Sequence, residues 1–157
     1  GEIRLKADQR TENYWNLPDV NRLKFEDGWL LTGDYGTKDD DGFVSYSGRR
    51  DDMINCGGLS YFPAEVEFML GRIDGLSSYL IAGVPDPNKT MNDVPWAFVV
   101  PHRPEEWKKR DFLKYAKSKL PGHMIPRNVI VMPELPLTHS GKPSRRKALE
   151  LYVNKEA

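Results

Sequence analysis

Two apolar, β-prone runs near the middle of the chain constrain its fold most. Residues 78–84 and 96–100 form these runs, and residues 85–88 between them (Pro-Asp-Pro-Asn) are typical of a turn. A third run follows at residues 129–132, ahead of a polar loop at residues 136–143. Helical patterns lie between and beyond these runs, so the sequence predicts an α+β module.

The first helical pattern covers residues 63–70. Its proline can occupy the first helical turn, and Gly71 is a typical stop. The spacing predicts that Val66, Met69 and Leu70 lie on one face of the helix.

A second helix is predicted over residues 105–119. Phe112, Ala116 and Leu120 recur at four-residue intervals, and a proline–glycine pair follows them. The chain is again expected to be helical from Ser144 onward.

Residues 1–50 have a different pattern of short strands and turns. We predict strands at residues 2–5, 28–31 and 42–46, with a hairpin turn at residues 38–42. The acidic run in this turn lacks the first ligand and the closing glutamate of a calcium loop. It is therefore interpreted as a turn.

Composition excludes several functional classes. The 157 residues include 23 basic and 23 acidic side chains, so no net field attracts nucleic acid or anionic membranes. No apolar run approaches the ~20 residues that span a bilayer. Cys56 is the single cysteine, which excludes an internal disulfide and favours a reducing, cytoplasmic location. It is interpreted as a small buried residue.

No metal site is predicted from the three histidines, His102, His123 and His139. Their positions do not match the spacing of metal ligands in a protein chain. We interpret all three as structural or surface residues.

Five short motifs occur in a fixed order along the chain. They lie at residues 13–18 (Asn-Tyr-Trp-Asn-Leu-Pro), 27–34 (Asp-Gly-Trp-Leu-Leu-Thr-Gly-Asp), 48–54 (Gly-Arg-Arg-Asp-Asp-Met-Ile), 57–67 (Gly-Gly through Pro-Ala-Glu-Val-Glu) and 135–142 (Leu-Pro-Leu-Thr-His-Ser-Gly-Lys). Each is weak alone, but together they resemble the last third of the adenylate-forming superfamily. This superfamily contains acyl-CoA synthetases, peptide-synthetase adenylation domains and luciferases, and the chain is most similar to an acyl- or aryl-CoA ligase.

The resemblance implies a division of the chain. Residues 1–50 would be the β-rich end of a large N-terminal domain. Residues 51–157 would be a small, mobile C-terminal domain with a short mixed sheet and flanking helices. The family's phosphate loop and acid pocket lie upstream of these motifs. We therefore expect a C-terminal fragment that is inactive by itself.

The resemblance also implies roles for three side chains. Lys142 matches the lysine that stabilises charge while a carboxylate attacks the α-phosphorus of ATP. Asp34 matches the aspartate that accepts hydrogen bonds from the ribose hydroxyls, and Arg49 adds donors there. Without the family context they would be an exposed loop lysine, a turn aspartate and an exposed arginine at a strand end.

Conformational roles are implied for three further positions. Asp51 matches the hinge about which the C-terminal domain rotates between half-reactions, with Asp52 as an adjacent competitor. Gly57 and Gly58 match a loop that lines the tunnel for the thiol, although an ordinary two-glycine turn would look the same.

The resemblance implies ATP, a carboxylic acid and CoA as substrates, AMP as a product, and Mg²⁺ bound mainly by the missing N-terminal domain. A carrier protein could replace CoA as the acceptor, and a non-catalytic interaction module of the same fold is a third possibility. Residues 92–93 are Asn-Asp where many relatives have Gly-Glu. This departure weakens the expectation for the thiol-transfer step.

Overall fold

A computed structural model describes residues 1–86, 88 and 90–152. The chain divides into two compact units, Gly1–Asp51 and Asp52–Ala157.

The first unit is a small antiparallel sheet with one short helix. Its elements are β1 (Glu2–Leu5), α1 (Pro18–Lys24), β2 (Phe25–Glu26), β3 (Trp29–Lys38) and β4 (Val44–Arg49). Strand β3 pairs with each of the other three strands.

The predicted hairpin turn connects β3 and β4. The Gly42 N–H donates to the Asp39 carbonyl over 3.1 Å, and the Phe43 N–H donates to the Asp39 carboxylate over 2.8 Å. A turn aspartate that binds the backbone in this way is common chemistry for a hairpin connection. The sequence did not predict α1 or β2.

The second unit contains the remaining elements. They are β5 (Ile54–Cys56), β6 (Leu59–Tyr61), α2 (Pro63–Leu70), β7 (Leu76–Pro85), β8 (Asp93–Pro101), α3 (Lys109–Lys119), β9 (Asn128–Val131) and α4 (Arg145–Tyr152). Strands β5 and β6 form a hairpin. Strand β8 pairs antiparallel with β7 and parallel with β9. The predicted mixed sheet and α+β class are therefore confirmed.

Strand β8 contributes to both hydrophobic clusters of this unit. Ala97 and Val99 belong to the cluster that contains residues of α2 and α3, whereas Phe98 belongs to the cluster that contains Ala148 of α4. Alternate side chains of a strand point to opposite faces. Because helices cover both faces, the strand is apolar and buried from Val94 to Pro101.

The structure adds detail to two sequence predictions for the helices. Of the three residues predicted to lie on one face of α2, Val66 and Leu70 are buried, whereas Met69 is 41% exposed. Helix α3 begins at Lys109 instead of residue 105, because the preceding residues form turns in which Glu106 and Trp107 donate their N–H groups to the Arg103 carbonyl.

Within the ranges given above, no helix combines the length and apolar character needed to cross a membrane.

Candidate functional site

Asp34 and Arg49 form an ion pair on neighbouring strands of the first unit. They are direct partners in the register of β3 and β4, and Arg49 Nε lies 3.2 Å from Asp34 Oδ1. The Asp34 side chain is 33% exposed and the Arg49 side chain is 52% exposed. The pair is thus accessible to a ligand and screened by solvent.

Hydrogen bonds to β1 and within the motif fix the Thr-Gly-Asp segment. Thr32 Oγ1 donates to the Ile3 carbonyl over 2.7 Å, and the Gly33 N–H donates to the Glu2 carboxylate over 3.0 Å. The Asp34 N–H in turn donates to Thr32 Oγ1. Gly33 has a φ of +77°, a conformation that favours glycine. The aspartate is therefore presented from a well-defined backbone.

Gly36 and Lys24 lie close to the strands that carry the Asp34–Arg49 pair. A Cβ atom at Gly36 would lie 2.5 Å from the Ser45 carbonyl oxygen, so only glycine allows the observed approach of β3 and β4. Lys24 Nζ lies 3.0 Å from the ideal Cβ position of Gly33, and an Arg49 guanidinium nitrogen lies 3.6 Å from it. Sequence analysis missed Lys24, because it ends a helix that was not predicted.

Lys142 lies on a compact loop of the second unit. The Thr138 N–H donates to the Lys142 carbonyl over 2.7 Å, and the Lys142 N–H donates to Thr138 Oγ1 over 3.1 Å. The Gly141 N–H donates to the Thr138 carbonyl, and Gly141 has a φ of +78°. The loop is therefore held by its own backbone, and glycine permits the turn just before the lysine.

The Lys142 side chain is exposed. Across the described part of the chain, its ammonium group makes no hydrogen bond or ion pair with another residue. A lysine on an ordered loop with no protein partner is free to meet an anionic ligand.

Gly57 and Gly58 are the two turn residues of the β5–β6 hairpin. Their φ angles are +59° and +83°, which are typical of the two-residue connections between hairpin strands. The hairpin geometry explains both glycines without a ligand, and a role at the thiol stays a prediction.

Asp51 and Asp52 lie in a short 3₁₀ turn, Arg50–Asp52, where the two units meet along the chain. Asp51 is exposed, whereas the Asp52 carboxylate lies 3.6 Å from the Arg145 guanidinium in the second unit. Asp52 is thus in contact with the second unit, and the hinge role of Asp51 stays a prediction.

Cys56 and His123 have structural surroundings. Cys56 is buried, and burial raises the pKa of its thiol. A raised thiol pKa disfavours the nucleophilic thiolate. The His123 ring packs against Tyr61 at 5.5 Å. The described residues contain no group of three or more His, Cys, Asp or Glu side chains that could hold a metal ion.

The departure at residues 92–93 has a structural role. The Asp93 carboxylate accepts the Asn55 N–H over 3.1 Å, and Asn55 lies on β5 just before the Gly57–Gly58 turn. The Asn92 carbonyl accepts the Asp86 N–H over 3.1 Å. The Asp93 side chain thus connects β8 to the β5–β6 hairpin, whereas Asn92 contributes only its backbone carbonyl.

Asp86 organises that turn. Its carboxylate accepts hydrogen bonds from the Thr90 hydroxyl and from the N–H groups of Asn88, Thr90 and Met91. These bonds, the Thr90 hydroxyl foremost, lower the pKa of Asp86 to about 2.

Comparisons with known proteins identify the family. Residues 65–142 match the AMP-binding enzyme C-terminal domain. The chain belongs to the adenylate-forming superfamily. It is 35% identical to a long-chain-fatty-acid–CoA ligase of Bacillus subtilis (strain 168) over 150 residues, which cover 96% of this chain and 26% of the relative.

Solved structures of the superfamily have the same fold. The o-succinylbenzoate CoA synthetase MenE of Bacillus subtilis, in complex with the acyl-adenylate OSB-AMP, matches with a TM-score of 0.82 and 34% identity over 94% of this chain and 30% of its own. ATP-bound MatB of Rhodopseudomonas palustris matches with a TM-score of 0.87 and 26% identity over 100% of this chain and 31% of its own. The chain thus spans less than a third of the length of these relatives.

Proposed function

We propose that this chain is the C-terminal part of an ATP-dependent ligase that adenylates a carboxylic acid and transfers the acyl group to CoA. The observation that carries the proposal is Lys142: an exposed lysine without a protein partner among the described residues, on a loop fixed by backbone hydrogen bonds. The relatives support it, because the Bacillus protein is a long-chain-fatty-acid–CoA ligase and MenE is an o-succinylbenzoate CoA synthetase.

In the adenylation step a carboxylate approaches the α-phosphate of ATP, so two anions must come together. The Lys142 ammonium would offset their repulsion and the charge that develops on the phosphoryl oxygens. Electrostatic stabilisation of this kind depends on a group held in place before the reaction. The hydrogen-bonded loop meets that requirement, because the backbone on both sides of the lysine is fixed.

Asp34 and Arg49 would bind the ribose of the nucleotide. The Asp34 carboxylate meets Arg49 through Oδ1 and is 33% exposed, so it keeps acceptor capacity for a ribose hydroxyl. Arg49 is half exposed and contacts Asp34 through Nε, so its terminal nitrogens could donate to the same sugar.

Magnesium would accompany ATP in such a reaction. The described residues offer no cluster of ligands that suits it, and we assign no step to the metal. Its binding by residues upstream of this chain stays a proposal. So do the hinge at Asp51, the thiol role of Gly57 and Gly58, and a cytoplasmic location.

The test is pyrophosphate release by the enzyme that contains this chain, measured across a panel of carboxylic acids with and without CoA. Release that depends on one acid class and yields its acyl-CoA would establish the ligase. Adenylation that leaves free CoA untouched would point to a carrier protein as the acceptor. No release with any acid would contradict the proposal and favour a non-catalytic interaction module.

A further inference from the structure

A single arginine contacts several segments of the second unit. Arg145 is the first residue of α4, three positions after Lys142. Its terminal nitrogen donates to both carboxylate oxygens of Glu67, each over 2.7 Å, and its Nε donates to the Ile81 carbonyl over 2.9 Å. Another guanidinium nitrogen lies 3.6 Å from Asp52. Helices α2 and α4, strand β7 and the 3₁₀ turn thus meet at one guanidinium.

The geometry of this cluster requires arginine. Glu67 also accepts the Ile81 N–H over 2.8 Å, so Glu67 and Arg145 together bind both backbone groups of one residue of β7. A guanidinium presents donors in a fixed planar fork, whereas a lysine ammonium is a compact charge on a flexible stem. The side chains of Arg145 and Glu67 are each only 25% exposed, which limits screening by solvent.

The first turn of α4 holds the base of the Lys142 loop. The Ser144 N–H donates to the Pro136 carbonyl over 2.8 Å, and Leu137 and Pro143 form an isolated β-bridge. Lys147 Nζ donates to the Leu137 carbonyl over 2.6 Å. Both ends of the loop are therefore attached to the start of α4. The position of that start depends in turn on the arginine.

We infer that Arg145 is a positioning residue for Lys142. It anchors the start of α4 to Glu67 and Ile81, and α4 holds the loop that presents the lysine. The inference rests on the proposed role of Lys142 in adenylation. A displacement of about 1 Å at a reacting group can cost on the order of a hundredfold in rate. Loss of the anchor should therefore slow adenylation and spare thiol transfer from a supplied acyl-adenylate.

The experiment compares Arg145→Gln with Arg146→Gln in the enzyme that contains this chain. Arg146 is a matched control, since it is the next residue on the same helix and pairs with exposed Glu150 one turn away. We expect adenylation to slow by roughly tenfold or more in Arg145→Gln, with thiol transfer within about twofold of wild type. Full adenylation by Arg145→Gln, or equal losses in both steps, would overturn the inference.

Arg145→Lys is a second variant, which keeps the inference testable if Arg145→Gln does not fold. It keeps the positive charge beside Glu67 and Asp52 but loses the fork, so we expect near-native melting and still a slowed adenylation. Wild-type adenylation by this variant would show that charge alone suffices and would contradict the positional argument.

Amide hydrogen exchange on the 157-residue chain separates this inference from the proposed function. The hydrogen-bonded amides of Thr138 and Ser144 should exchange roughly tenfold faster in Arg145→Gln than in Arg146→Gln, since local opening sets their protection. Equal exchange in the two variants would overturn the anchoring. If wild type and Arg146→Gln released no pyrophosphate while exchange still differed, the proposed function alone would fail.

Discussion

Arg49 and Arg145 both meet a carboxylate, but the two pairs differ in almost every physical respect. Arg49 is half exposed and approaches Asp34 with one nitrogen at 3.2 Å. Arg145 is one-quarter exposed, contacts both oxygens of Glu67 at 2.7 Å and also binds a backbone carbonyl.

The difference shows how one residue type serves two purposes. The Arg145 fork is committed to protein groups, so its contribution is structural. The Arg49–Asp34 pair leaves hydrogen-bonding groups of both side chains available to a ligand. The pair is exposed to solvent, where an ion pair contributes little to stability. Lys142 extends this contrast, because within the described residues its ammonium has no protein partner. Of these three cationic side chains, the two that are less engaged by protein groups are those proposed to meet substrate.

The largest expected effect is on Lys142. In the enzyme that contains this chain, Lys142→Ala should slow adenylation by roughly 10²–10³, the scale of losing one preorganised charge-stabilising donor. Thiol transfer from supplied acyl-adenylate should change much less, and thermal melting should stay near wild type because the side chain is exposed. Rapid-quench measurement of both half-reactions checks this, and equal losses would refute the assigned division of labour.

The Arg145–Glu67 ion pair is tested by Glu67→Gln. The substitution removes the charge that Arg145 binds, and hydrogen bonds to charged groups contribute about 1.5–3 kcal/mol. We expect a loss of that size in the free energy of unfolding, measured by urea titration of the 157-residue chain. Glu150→Gln is the matched control, since it breaks an exposed pair with Arg146. An equally small change in both variants would erase the contrast between the two arginines.

Gly36→Ala is designed to break the exposed pair without touching either charge. The added methyl group would meet the Ser45 carbonyl at 2.5 Å and push β3 from β4. We expect a loss of at least about 1 kcal/mol in stability, the lower end for overpacking, and weaker ATP binding by the parent enzyme. Calorimetric titration with ATP measures the second effect, and unchanged affinity would argue against a ribose site at this pair.

The smallest expected change in stability is for Arg49→Gln. An exposed ion pair contributes about 0.2–1 kcal/mol, and added salt should remove most of it. The same substitution should weaken ATP binding, because the donors to the ribose are lost. A stability loss as large as that of Glu67→Gln would place Arg49 among the structural arginines instead.

The sequence predicted the elements whose local signals agree with their packing. Pro63 and Gly71 delimit α2 because the first fits the opening helical turn and the second has a φ of +61°. Helical spacing grouped Met69 with Val66 and Leu70, but it does not tell which side of that face contacts the core, and Met69 is 41% exposed. The β5–β6 hairpin was missed because strands of three residues are too short to show alternation.

In the candidate site, the residues could be predicted from the sequence, whereas their contacts could not. Asp34, Arg49 and Lys142 were found by resemblance to family motifs, and the pairing of the first two along β3 and β4 came only from the structure. Arg145 and Glu67 are 78 residues apart, and no local pattern connects them. Their contact depends on how α2, β7 and α4 pack.

Each contact described for the Lys142 loop and its anchor joins residues between Asp52 and Tyr152. If everything before Asp52 were replaced with the corresponding part of another superfamily member, all the residues that make these contacts would still be present. For protein engineering, the second unit is therefore a transplantable part. A graft at Asp51 would carry over the presentation of the lysine.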